Sequence, residues 1–133
     1  MSEYDIFKVN PRMPKKVRLA DITIRDGFQH EEVWIPTEAK IYYLQELAFA
    51  GVKRIEVTNL GNPRIMPQFK DAEEVFKGVR NDIFEKRLNR KGINPEDIEW
   101  TAVTIREPSV DRAIRLKEQG FGPNRILMTL YAQ

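Results

Sequence analysis

The sequence contains no cysteine, a single histidine and almost no excess of charge of either sign. Without cysteine, a disulfide framework, a thiolate zinc site and a cysteine nucleophile are excluded within these 133 residues. Lysine and arginine total 22, and aspartate and glutamate total 20, which leaves a net charge of +2. A balance this even argues against a protein dedicated to binding nucleic acid, because such proteins concentrate basic residues on one face.

Long apolar runs are also missing. No stretch approaches the ~18 consecutive apolar residues that cross a membrane, so no membrane association is expected. The first five residues are acidic rather than apolar, so no secretory signal peptide is expected either. Together with the lack of cysteine, these features predict a cytoplasmic protein. Hydrophobic residues make up 41% of the chain, which is enough for the core of one domain.

Segments typical of strands alternate with segments typical of helices. Four segments are rich in β-branched and other apolar residues, as strands are: 17–24, 54–58, 98–105 and 125–130. Three segments repeat apolar residues at helical spacing, and they are 37–50, 69–79 and 108–119. The first is expected to have Thr37 as its N-cap and Gly51 as its stop. The third is expected to begin at Pro108 and to stop at Gly120. Residues 81–95 predict either an extension of the second helix or a solvated insertion.

This alternating order is the pattern of a parallel sheet with crossover helices, hence of an α/β fold. Two architectures produce it: an open doubly wound sheet, and part of a (β/α)₈ TIM barrel. A whole barrel needs ~250 residues, and the last predicted strand has no helix behind it. We therefore expect an amino-terminal arm at 1–16 and the first, amino-terminal half of a (β/α)₈ barrel at 17–133.

The residues with most chemical potential follow the first predicted strand. Arg25, Asp26 and Gln29 come at its carboxyl end, with Gly27 allowing a tight turn, and parallel α/β folds build their sites at that end of the strands. A carboxylate is a ligand for hard divalent cations, and a guanidinium can stabilise a developing enolate oxygen. An ion pair that only closes the turn is the alternative, and spacing alone favours it.

Glu56 is the second candidate, because it lies between Ile55 and Val57 in an apolar predicted strand. A carboxylate in a sheet core is costly unless it is paired or bound to a cation. Adjacent strands would bring Glu56 near Arg25 and Asp26. A functional role and a structural role remain equally open on this evidence.

Several separate segments resemble one family. The run Asp21-x-Thr23-Ile24-Arg25-Asp26-Gly27-x-Gln29, followed by Ile55-Glu56-Val57-Thr58, is similar to the DRE-TIM metallolyases, which include hydroxymethylglutaryl-CoA lyase and the pyruvate carboxyltransferase-type domains. Further similar segments are Pro36-Thr37-x-x-Lys40-Ile41, Asn62 to Gln68 and Glu74 to Gly78. The name of the family refers to an Asp, an Arg and a Glu, which match Asp26, Arg25 and Glu56 here.

The resemblance implies an enzyme: a hydroxymethylglutaryl-CoA-lyase-like protein that breaks or forms a carbon–carbon bond in an acyl-CoA or 2-oxo acid with a divalent metal, Mg²⁺ or Mn²⁺. It implies that Asp26 binds the metal, that Arg25 and Glu56 are catalytic and that Gln29 binds substrate. The family also has a His-x-His pair of metal ligands on a late strand, which a chain with only His30 cannot contain.

This chain is therefore expected to supply only part of a site and to be inactive alone. It is also expected to form a homo-oligomer or to be completed by a further chain. The alternative is a non-catalytic half-barrel fragment that binds a partner chain.

Overall fold

The computed structural model describes residues 12–129. It contains a three-stranded parallel sheet in the order β1 (Arg54–Asn59), β2 (Glu99–Thr104), β3 (Arg125–Met128). The helices are α1 (Thr37–Phe49), α2 (Ala72–Val79), α3 (Asp82–Arg90) and α4 (Glu107–Glu118). The expected α/β fold with parallel strands is confirmed. Within the described range, no helix is both long and apolar enough to span a membrane.

The core lies between one face of the sheet and the helices. Trp100 of β2 is 1% exposed, and its ring packs edge-on against Phe84 of α3 at 6.3 Å between centroids. Phe84 in turn packs against Phe49 at the end of α1, at 5.5 Å. Gly51 and Gly120 follow α1 and α4 with φ of 87° and 88°, a conformation that glycine adopts without steric cost. These two predicted stops are therefore confirmed.

The strand predicted at 17–24 is wrong. Only Asp21 forms a bridge, parallel to Ile55 of β1, and Val17 and Leu19 are 75% and 81% exposed. The carboxylate of Asp21 accepts hydrogen bonds from the backbone N–H (3.0 Å) and the hydroxyl (3.2 Å) of Thr23. This local bonding competes with a sheet ladder, and the chain turns into a π-helical segment at Thr23–Gly27 instead.

Three other expectations change in detail. Thr37 is the first residue of α1 rather than its N-cap, because its hydroxyl donates to Asp71 (2.8 Å) instead of capping the helix. Residues 82–90 form a separate helix, α3, whose N-terminus is capped by Asn81. β3 ends at Met128, and Leu130 of the predicted strand lies outside the described residues, as does most of the predicted arm at 1–16.

Candidate active site

Two short turns of helix carry the first group of candidate residues. After the bridge at Asp21, the π-helical turn Thr23–Gly27 leads directly into a 3₁₀ turn at Phe28–His30. The N–H of Asp26 donates to the carbonyl of Ile22 at 2.7 Å. Single π turns are rare and are found frequently at functional sites. Here the turn sets Arg25 and Asp26 beside β1.

Arg25 joins two carboxylates. Its Nε donates to Oε2 of Glu56 at 2.6 Å, and its Nη1 donates to Oδ1 of Asp26 at 2.7 Å. The Arg25 and Glu56 side chains are 19% and 11% exposed, whereas the Asp26 side chain is 46% exposed. Charge-assisted bonds of this kind are the strong ones, so the guanidinium is held in one orientation beside the sheet.

The structure therefore brings together three of the four residues singled out from the sequence. The fourth, Gln29, is half-buried on the 3₁₀ turn, and its side chain makes no hydrogen bond to any other residue in the described range. His30 follows it and is exposed. Glu56 is not an unpaired charge in the sheet, because Arg25 neutralises it.

A divalent metal is implied by the resemblance, and the described residues do not fit a complete site for one. Between residues 12 and 129, no group of three or more His, Asp or Glu residues is arranged to hold a metal. Oδ2 of Asp26 has no partner in this range and lies on a partly exposed side chain, so it is one available oxygen ligand. Mg²⁺ and Mn²⁺ sites need further ligands, and this part of the chain does not provide them.

A second polar cluster is formed by Lys40, Asp71 and Gln68, and it was not predicted from the sequence. Lys40 is 1% exposed, and its Nζ donates to both oxygens of Asp71 (3.0 and 3.1 Å) and to the carbonyl of Gln68 (2.5 Å). The ammonium also lies 3.9 Å from the centre of the Trp34 ring. Burial lowers the pKa of Lys40 below its usual value, although the bond to Asp71 raises it.

Gln68 uses its whole side-chain amide to hold the segment that follows the candidate residues. Its Nε2 donates to the carbonyls of Glu31 (2.8 Å) and Val33 (2.7 Å), and its Oε1 accepts from the N–H of Ile35 (3.3 Å). Residues 31–35 are therefore fixed to the α1–α2 layer through Gln68 and Lys40. The only sequence signal was the similar segment around Lys40, because a single lysine in a helix ordinarily indicates a solvated position.

A largely apolar groove of about 510 Å³ lies between the loop after β1 and the start of α4. Its apolar lining residues are Leu60, Pro63, Ile65, Met66, Ile105 and Pro108. On one side Arg112 donates to the carbonyls of Leu60 (3.0 Å) and Gly61 (3.1 Å). The groove follows the carboxyl ends of β1 and β2, where parallel α/β folds bind ligands.

At the opposite end of the sheet Glu99 begins β2. It accepts hydrogen bonds from Arg54 of β1 (2.6 Å) and from Arg125 of β3. The bond from Arg54, helped by that from Arg125 and opposed by partial burial, lowers the pKa of Glu99 to about 2. This cluster joins three neighbouring strands by charge at their amino-terminal end, the end of parallel barrels that is associated with stability rather than with catalysis.

Comparison with known proteins gives related sequences but no match to a family model. Over 66 residues the chain is 42% identical to a hydroxymethylglutaryl-CoA lyase of Bacillus subtilis, and over 68 residues it is 41% identical to a 3-hydroxy-3-isohexenylglutaryl-CoA/hydroxymethylglutaryl-CoA lyase of Pseudomonas aeruginosa. These matches cover 50% and 51% of this chain, but only 22% and 23% of the relatives. The matched region thus spans less than a quarter of either relative.

Among solved structures, the hydroxymethylglutaryl-CoA lyase of Bacillus subtilis superposes with a TM-score of 0.68 and 27% identity. The superposition covers 86% of this chain and 33% of the lyase chain. The sequence and the fold lead to the same group of proteins, although each match is to a minor part of the larger protein. The resemblance of this chain to hydroxymethylglutaryl-CoA lyases of the DRE-TIM family, over about half of its length in sequence and most of its length in structure, is therefore confirmed.

Proposed function

We propose that this chain provides part of the active site of a divalent-metal-dependent carbon–carbon lyase that acts on a 3-hydroxyacyl-CoA. The observation that carries the proposal is the bridge from Arg25 to Glu56 and Asp26. The named relatives to which about half of the chain is similar are lyases of hydroxymethylglutaryl-CoA and of 3-hydroxy-3-isohexenylglutaryl-CoA. The chemistry of the three residues agrees with such a reaction.

Cleavage of a 3-hydroxyacyl thioester breaks the bond between C2 and C3. The hydroxyl at C3 loses its proton and becomes a carbonyl, while the electron pair of the broken bond moves onto the thioester as an enolate. The enolate then takes a proton to give the acyl-CoA product. Negative charge therefore appears on an oxygen that is neutral in the substrate, and a fixed cation beside that oxygen lowers the barrier.

Arg25 would supply that cation, with its orientation held by Glu56. Asp26 would be one ligand of Mg²⁺ or Mn²⁺, with the others coming from residues outside the described range. When bound, such a metal supplies Lewis acidity towards the substrate oxygens. Gln29, whose side-chain amide has no hydrogen-bond partner within the described residues, would hold the substrate. The apolar groove at Leu60 and Ile105 would take the apolar part of the acyl-CoA.

The test is an assay of the natural-length polypeptide that carries this sequence. It is incubated with 3-hydroxy-3-methylglutaryl-CoA and saturating Mg²⁺, and the two cleavage products are quantified. Cleavage that is lost with a chelator and restored by Mg²⁺ is expected. Absence of cleavage of this thioester and of longer 3-hydroxyacyl-CoA thioesters, from protein that is folded by circular dichroism, would contradict the proposal.

A second candidate function is binding of a partner chain by a non-catalytic half-barrel. It is favoured by the exposed apolar residues of β3: Ile126, Leu127 and Met128 are 43%, 38% and 50% exposed. A stable stoichiometric complex together with absence of cleavage would favour this alternative. Formation of a homo-oligomer, acceptance of a 2-oxo acid and a cytoplasmic location also stay predictions.

A further inference from the structure

Thr101 has a buried hydroxyl without a hydrogen-bond partner. It lies in the middle of β2, is 2% exposed, and its Oγ1 bonds to nothing among the described residues. Buried hydroxyl groups are nearly always hydrogen-bonded, because removal from water without a replacement partner is costly. An unpartnered hydroxyl in the centre of a sheet therefore indicates a partner that is not part of the described chain.

The strand register places this hydroxyl beside the candidate site. Thr101 is the partner of Glu56 in the β1–β2 ladder, one position after the pair Ile55 and Trp100. Ile55 and Trp100 belong to the hydrophobic core on the helix side of the sheet. Because successive side chains in a strand point to opposite faces, Glu56 and Thr101 share the other face, from which Arg25 reaches Glu56.

Glu56 has a free oxygen on this face. Its Oε2 accepts the bond from Arg25, and its Oε1 has no partner within residues 12–129. A carboxylate oxygen accepts only, whereas a threonine hydroxyl can donate as well as accept. One group satisfies both at once: a hydroxyl that donates its proton to Glu56 and accepts the hydrogen bond of Thr101. A second carboxylate there would be repelled by Glu56.

We propose that Thr101 is a substrate-binding residue, which with Glu56 holds the hydroxyl group of the substrate. The inference rests on the proposed function for the identity of the substrate, a 3-hydroxyacyl-CoA, and it adds a residue that the sequence motif does not contain. Thr101 places the oxygen that becomes the product carbonyl beside Glu56, its partner in the β1–β2 ladder, and Arg25 is bonded to that same Glu56.

The first measurement separates this role from a structural one. Thr101→Val keeps the shape of the side chain and removes the hydroxyl, and no hydrogen bond within the described chain is lost. The melting temperature of the natural-length protein should therefore not fall. Thr104→Val is the matched control on the same strand, because Thr104 is fully buried and its Oγ1 lies 3.5 Å from the carbonyl of Leu127. A decrease in melting temperature for Thr101→Val as large as the decrease for Thr104→Val would overturn the proposal.

The second measurement identifies the hydroxyl by equilibrium binding. Two probes are titrated into the parent protein, Thr101→Val and Thr101→Ser: 3-hydroxy-3-methylglutaryl-CoA and 3-methylglutaryl-CoA, which lacks the hydroxyl. Thr101→Val should bind the hydroxylated probe ~10-fold more weakly, the scale of one hydrogen bond, and the other probe as well as the parent does. Thr101→Ser should bind both probes as the parent does.

Equal weakening of both probes by Thr101→Val would overturn the proposal, since the hydroxyl would then hold a water or the surrounding structure. The proposal would also be overturned if Thr101→Val bound both probes as tightly as the parent protein does. The titrations are made with a chelator present, under which no cleavage is expected, so their outcome is independent of the cleavage assay. A parent protein that binds both probes but does not cleave the hydroxylated one when Mg²⁺ is present contradicts the proposed lyase, while the difference between the probes still decides the role of Thr101.

Discussion

The Nε atom of Arg25 lies 2.6 Å from Oε2 of Glu56, across 31 residues of sequence. The same guanidinium reaches Asp26, its neighbour in the chain, through Nη1. A planar group with several donors in fixed directions can serve two carboxylates at once. The relationship therefore joins the turn after Asp21 to β1 and sets the direction in which the positive charge faces.

Replacement of Arg25 by lysine should reduce catalysis without a large effect on substrate binding. Lysine keeps the charge but presents one ammonium instead of a planar fork, so it cannot keep both partners and the same direction. If the natural-length protein has the proposed lyase activity, we expect kcat to fall ~10²-fold or more, the scale of losing one oxyanion donor, with little change in KM. Steady-state cleavage of the hydroxyacyl-CoA at saturating Mg²⁺ measures both constants.

Arg54→Lys is the matched control for that substitution. Arg54 also forms a fork with a carboxylate, Glu99, but at the opposite end of the sheet. We expect its kcat to stay within about threefold of the parent value. A rise in KM with unchanged kcat for Arg25→Lys would instead make Arg25 a substrate-binding residue.

Replacement of Asp26 by asparagine should weaken divalent-metal binding while leaving the fold intact. The amide keeps the shape of the carboxylate and loses its charge, and the side chain is 46% exposed, so little packing depends on it. Calorimetric titration of the natural-length protein with Mn²⁺ measures the affinity, and circular dichroism checks the fold. Unchanged affinity would return Asp26 to the role of an ion-pair partner of Arg25.

Replacement of Lys40 by methionine should destabilise the protein strongly. Among the described residues, the substitution leaves the buried carboxylate of Asp71 with only the hydroxyl of Thr37 as a partner, and breaking a buried pair from one side costs ~3–5 kcal/mol. The matched control is Lys53→Met, because Lys53 pairs with Asp97 on the surface, with side chains 65% and 52% exposed. That change should cost ~0–1 kcal/mol. Urea unfolding measures the loss of stability for Lys40→Met and for Lys53→Met. Equal losses would contradict a stabilising buried pair between Lys40 and Asp71.

The acid stability of the protein should depend on Glu99. Its pKa is lowered from 4.5 to about 2 in the folded state, so on acidification the unfolded chain binds a proton at this position first. Its stabilising contribution is full above about pH 4.5 and is lost as the pH falls towards about 2. In urea unfolding at low salt, the stability difference between the parent and Glu99→Gln should shrink across this window. A stability difference that stays constant between about pH 4.5 and about pH 2 would contradict the lowered pKa of Glu99.

The 133-residue chain made alone should associate through β3. In the described part of the chain β3 pairs only with β2, and its apolar side chains are partly exposed, which is typical of an edge that recruits further strands. Sedimentation velocity should show oligomers that Ile126→Lys reduces. Ile83→Lys is the control, since Ile83 is 76% exposed on α3. A monodisperse monomer with a cooperative thermal transition would contradict this prediction.

Periodicity in the sequence predicted most of the regular elements. The apolar repeats of α1, α2 and α4 and the β-branched runs of β1 and β2 are local patterns, which a helix or a strand needs to bury one face. The strand at 17–24 failed because a carboxylate in its own sequence, Asp21, bonds to the next turn. The local pattern at 81–95 does not decide between an extension of α2 and a separate helix α3. The burial of α3 depends on contact between Phe84 and Trp100, which is 16 residues further along the chain.

By itself, the sequence determined the alternation of strands and helices and the nearness of Arg25, Asp26 and Glu56, since the first two are adjacent and the third lies inside the strand that follows. Only the tertiary structure decided which guanidinium nitrogen meets which carboxylate, and that Lys40 is buried with Asp71 and Gln68. It also decided that the hydroxyl of Thr101 lies on the face of Glu56 with no partner between residues 12 and 129. The reason is physical: propensity and periodicity act over a few residues, whereas burial and hydrogen bonding depend on segments that only the packed fold brings together.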